Sequence, residues 1–114
     1  MPALAVFACL NTIAPADANG KNPAYVGTWA SQTAQCRVDQ SEQNAPLIMR
    51  RNGYDQHEAH CSFSNIRQKG ATWTVRAACS VEGDKQTHSL TLSVADNRLT
   101  MRDEHGPRVL QRCR

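Results

Sequence analysis

The feature that most constrains this chain is the alternation between Cys61 and Cys79. In "WTVRAACSV" the residues Trp73, Val75, Ala77, Cys79 and Val81 fall on one side of an extended chain, with Thr74, Arg76, Ala78 and Ser80 on the other. A period of two is the signature of a half-buried strand, because successive side chains point to opposite faces. "LTLSV" does the same with Leu90, Leu92 and Val94, and "LTM" with Leu99 and Met101. No segment keeps a helical period over three turns. Turn-forming residues punctuate the runs at Asn52-Gly53, Lys69-Gly70, Gly83-Asp84, Asp96-Asn97 and Gly106-Pro107. The pattern predicts an all-β fold: a small antiparallel meander closed as a barrel or sandwich, with about six to eight strands by the spacing of turn signals.

The register of the central hairpin can be worked out. If Cys61 faces Cys79, Phe63 faces Ala77, and both Cys61 and Phe63 point inward. Ile66 has the opposite parity, so it meets Trp73 only if one extra residue near Ser64-Asn65 forms a bulge. Directly opposed cysteines lie within disulfide range. A Cys61–Cys79 bridge is therefore expected, with Cys36–Cys113 tying the first strand region to the C-terminal one. The pairing Cys36–Cys61 with Cys79–Cys113 remains the alternative. No C-x-x-C occurs, which removes the usual redox motif and the usual zinc knuckle.

The N-terminal stretch explains the fifth cysteine. Ala3 to Leu10 are almost wholly apolar, and Ala16-Asp17-Ala18 offers the small residues that a signal peptidase accepts. The apolar run is far short of the roughly 20 residues of a membrane span. The sequence reads as a signal peptide over 1–18, an N-terminal extension over 19–26 and one barrel-like domain over 27–114. Cleavage near Ala18 removes Cys9 and leaves an even number of cysteines, as suits a periplasmic or secreted protein in an oxidising compartment. All 13 Lys and Arg lie beyond residue 18, and of the ten acids only Asp17 is lost, so the exported part is slightly more basic than the whole chain at +3. That balance permits attraction to anionic surfaces.

The stretch "VGTWASQTAQC", with its Gly-x-Trp near the first strand, resembles the opening of lipocalin-type barrels, in which the indole plugs one end. Together with four spaced cysteines, "GATWTV" in mid-chain and a terminal "RC", it is similar to small exported β-domain proteins of α-proteobacteria that have no assigned function. A looser likeness, over Gly27 to Trp29 and the strand pattern, is to the lipocalin-like bacterial metallopeptidase inhibitors. That likeness implies a protease inhibitor acting through an N-terminal trunk, here residues 19–25.

Few residues suggest chemistry. "DQHEAH" holds Asp55, His57, Glu58 and His60, but it is not H-E-x-x-H, and on one continuous strand His57 points inward while His60 points outward. "DEH" at Asp103–His105 reads as a solvated turn. Neither supports catalysis, and no metal or cofactor is expected. A hairpin turning at Asn52-Gly53 pairs Arg51 with Tyr54 and Met49 with Gln56, which leaves Leu47, Met49, Arg51 and Tyr54 outside as a binding patch. A bulge before Arg51 instead turns Leu47 and Met49 inward. Arg76, Arg102, Arg108 and Arg112 fall on expected outward positions. They lack the interleaved aromatics of single-strand nucleic-acid binders. The function expected is a non-enzymatic exported binding module whose partner is an envelope protein or an anionic envelope component, with protease inhibition the alternative and a small envelope enzyme third.

Overall fold

The computed structural model describes residues 22–114. Eight antiparallel strands follow one another around a closed barrel: β1 (Gly27–Ala30), β2 (Leu47–Arg50), β3 (Gly53–Gln56), β4 (Ala59–Lys69), β5 (Thr72–Val81), β6 (Asp84–Ala95), β7 (Arg98–Asp103) and β8 (Gly106–Arg112). Each strand pairs with its neighbours in sequence, and β8 returns to β1 through Trp29 opposite Arg112 and Ala30 opposite Gln111. Between β1 and β2 lies a long loop carrying a short 3-10 helix, Thr33–Arg37. No helix among the described residues is long and apolar enough to cross a membrane. Closure satisfies the backbone groups that an open sheet would leave at its edges.

The core is the set of inward positions that alternation prescribes. Trp73, Val75, Ala77 and Cys79 of β5 are buried, and Thr74, Arg76 and Ala78 are exposed. Trp29, Leu47, Met49, Leu90, Leu92, Leu99, Met101 and Leu110 complete the lining. Tyr25, just before β1, enters the barrel as well. It is fully buried, meets Trp73 edge-on with ring centroids 5.1 Å apart, and donates its hydroxyl to the Arg51 carbonyl at 2.6 Å. Trp29 Nε1 donates to the Tyr25 carbonyl at 2.9 Å, so the indole's one polar atom is satisfied. The interior is thus packed with side chains, as small eight-stranded barrels permit.

Both disulfides form. Cys61 stands opposite Cys79 with 4.0 Å between Cα atoms, on the barrel's inner face. Cys36 of the 3-10 helix joins Cys113 beyond β8. Phe63 faces Ala77, and the ladder slips between Ser64 and Arg67, where Asn65 takes a left-handed φ of 53°. Ile66 departs from expectation. Two residues, Asn65 and Ile66, occupy the slip, so Trp73 pairs with Gln68 and Ile66 stays on the surface.

The larger departure lies upstream. His57-Glu58 is a tight turn, with Gln56 paired to Ala59, so the stretch read as one strand is two. A chain reversal there inverts the facing of everything before it. Tyr54 now pairs with Cys61 and faces inward, and Met49 pairs with Tyr54 across a turn formed by Arg51-Asn52. Gly53 follows that turn rather than forming its second half. A Cβ at Gly53 would stand 2.0 Å from the Cys61 carbonyl oxygen, so only glycine lets β3 lie this close to β4.

Candidate functional site

The expected binding patch does not assemble. Leu47 and Met49 are core residues with at most 1 % of their surface exposed. Their outward placement is corrected by the His57-Glu58 turn, which swaps them with the partly exposed Ile48. Arg51 is exposed in its turn and gives its carbonyl to Tyr25. Tyr54 points into the barrel, 6.2 Å from Phe63 between ring centroids. Of the arginines expected outside, Arg76 and Arg102 are exposed on the wall. Arg112 instead lies over Trp29, 4.3 Å from the ring centroid, and donates to the carbonyls of Val26 and Ala24 at 3.1 and 2.9 Å. The anchoring residues Ala24 and Tyr25 belong to the segment 19–25 that the inhibitor likeness singled out. Residues 19–21, and the signal peptide expected over 1–18, lie outside the described residues.

The histidines of "DQHEAH" also part company. His57 has a left-handed φ of 55°, a conformation uncommon outside glycine that Asn, Asp and His adopt more often than other residues. Gln40 holds it there: its side-chain oxygen accepts from the His57 backbone N–H at 2.7 Å, and its own carbonyl lies 2.9 Å from His57 Nδ1. His60 is on the outer wall, 2.7 Å from Asp55, which also pairs with Arg50. Burial tends to raise the Asp55 pKa, but hydrogen bonds from His60 and Arg50 and their charges outweigh it and hold the carboxyl below its ordinary value.

A different group of residues converges at one rim of the barrel. Tyr54 on β3, His88 on β6, Asp103 on β7 and Arg108 on β8 occupy inward-facing positions near strand ends. His88 shares the face of Leu90 and Leu92, Asp103 that of Leu99 and Met101, and Arg108 that of Leu110. They line a cleft of about 170 Å3 with Leu90, Met101, Pro107 and His105. Met101 and Leu90 are the buried floor, and the polar groups form the walls. Burial raises the Tyr54 phenol's pKa above its ordinary value, while the Arg108 charge lowers it and the Asp103 charge raises it.

Glu104, in the β7–β8 turn, completes the cluster. Its carboxylate lies 2.9 Å from His88 Nδ1, and His88 Nε2 lies 2.9 Å from the Gln86 side-chain oxygen position. A carboxylate only accepts, so Nδ1 carries the proton in this arrangement. The Glu104 backbone N–H and the His88 ring hold that carboxyl below its ordinary pKa. One ligand atom each from His88, Asp103 and Glu104 lie within 4.8 Å of one another, the one grouping among the described residues that brings three such donors together. In the sequence Asp103–His105 reads only as a turn, and His88 belongs to no motif. Its parity with Leu90 and Leu92 was the available signal.

Set against family models, curated proteins and solved structures, the chain matches none.

Proposed function

We propose that this protein is an exported, non-enzymatic binding module that meets its ligand at the rim cleft formed by Tyr54, His88, Asp103 and Arg108. Export is supported by the two disulfides, which form and persist in oxidising compartments. The observation that carries the binding reading is the contrast between interior and rim. Among the described residues Tyr25, Trp29, Leu92 and Leu99 are fully or almost fully buried apolar and aromatic side chains of the barrel interior. At the rim, inward positions turn polar and carry both signs of charge.

Size narrows the ligand. Drug-sized molecules occupy about 300–1,000 Å3, whereas this cleft holds about 170 Å3. It admits an ion or one small polar group projecting from a larger envelope component. Amide NMR of the labelled full-length exported protein, titrated with soluble muropeptides, tests the reading. Shift changes centred on Tyr54, His88, Met101 and Arg108 are the expected result. Changes centred on the outer wall at Arg76 and Arg102, or cleavage of the muropeptide, would overturn it.

A further inference from the structure

We infer that His88, Asp103 and Glu104 form a binding site for a divalent transition-metal ion of the zinc type. This rests on the reading of the rim cleft as the ligand site and names the ligand it takes. One imidazole and two carboxylates are a borderline donor set, suited to zinc and its first-row neighbours rather than to calcium or magnesium, which prefer oxygen alone. In a tetrahedral site with bonds of about 2.1 Å, ligand atoms stand about 3.4 Å apart. Here the three donors all lie within 4.8 Å, and His88 Nδ1 and Glu104 are 2.9 Å apart. Small side-chain rotations bring all three onto one ion.

The position supports the chemistry. His88 is fixed by the β6 ladder, opposite the fully buried Ala77, and its side chain keeps only 19 % of its surface exposed. Asp103 ends β7 opposite Gly106, and its carboxylate already accepts from the His105 N–H at 2.7 Å, which holds the turn and aims the acid. Leu90 and Met101 form the cleft floor beside His88 and Asp103, Glu104 is open to solvent, and water supplies the remaining ligand. The ion takes the place of the proton between Nδ1 and Glu104, and that proton leaves to solvent. Two carboxylates compensate the ion's charge. The Arg108 guanidinium lines the same cleft, where it can meet an anionic group carried by a metal-bound ligand.

The test is a competition titration of the full-length exported chain, without any histidine tag, using zinc chloride against a chromophoric zinc chelator. The expected result is one zinc per chain, with at least a tenfold loss of affinity in His88→Ala and in Asp103→Asn. His60→Ala, which removes the exposed histidine paired with Asp55, should leave affinity unchanged. No competition by the native chain, or equal affinity in His88→Ala, overturns the site. Should a variant fail to fold, long-range proton–nitrogen NMR of the native protein decides: zinc must move the His88 ring nitrogens and leave those of His57 and His60 in place. Failure here combined with muropeptide shifts at Tyr54 and Arg108 removes the metal and keeps the cleft.

Discussion

The facing of β2 can be tested by comparing Met49→Ala with Ile48→Ala. Met49 is 1 % exposed and packs among Leu47, Tyr54 and Cys61 on the inner face, whereas Ile48 is partly exposed on the outer one. Truncating a buried methionine costs about 2–5 kcal/mol, from lost burial and from the cavity left behind. A domain of this length loses about 4–8 °C of melting temperature per kcal/mol. A cost near 3 kcal/mol therefore lowers the Met49→Ala midpoint by roughly 12–24 °C. Ile48→Ala gives up only part of a side chain that water already touches, so about 1 kcal/mol or less is expected, and under about 8 °C. Thermal melts of the oxidised protein followed by circular dichroism suffice. One unbroken strand running through His57-Glu58 to an inward Cys61 predicts the reverse order. A larger loss in Ile48→Ala than in Met49→Ala would falsify the facing described above.

Gly53→Ala forces a Cβ to within 2.0 Å of the Cys61 carbonyl, a backbone atom that cannot swing aside; it should destabilise the domain by at least as much as Met49→Ala, and a midpoint near that of the native protein would contradict the close approach of β3 and β4. Non-reducing peptide mapping should yield one fragment linking Cys61 to Cys79 and another linking Cys36 to Cys113, with a Cys36–Cys61 fragment as the refuting result. The lowered pKa of Asp55 gives a stabilising contribution present above the unfolded value of about 3.9 and lost as pH falls through the folded value. The gap in urea midpoint between native and Asp55→Asn protein should therefore narrow from pH 7 to pH 2.5, and a widening gap would reverse the sign of the linkage.

What the sequence revealed about the fold is what local physics decides. The Cys61–Cys79 facing, the irregularity after Ser64 and the turn at Asp96-Asn97, with φ of 53° and 62°, follow from alternation and turn chemistry within about twenty residues. The His57-Glu58 turn was hidden because "QHEA" contains no residue that asks for a turn. Its left-handed histidine is held by Gln40, seventeen positions away in a loop without regular pairing. That single reversal decided the facing of Leu47, Met49 and Tyr54, so the expected patch dissolved into the core. The rim cleft was half legible. Parity alone puts His88 and Asp103 on the inner face of their strands. Only closure of β8 onto β1 brings Arg108 round to Tyr54, and no local pattern encodes that.

The seam between β1 and β8 has a dynamic consequence. Two residue pairs join these strands, against ten between β5 and β6. Three devices reinforce the seam: the Cys113 N–H donates to Thr28, Arg112 reaches Ala24 and Val26, and the Cys36–Cys113 bond spans 77 positions. Amides in a protein exchange through local openings that begin where tertiary support is thinnest. With the bond intact, opening at the seam must carry the 3-10 helix and the entry segment along with it, so its amides are coupled to the rest of the domain. Reduction of that one bond uncouples them. Exchange then accelerates first at Thr28 to Ala30 and at Gln111 to Cys113, while the β4–β6 sheet stays protected, and the redox state of its surroundings sets how often this barrel breathes.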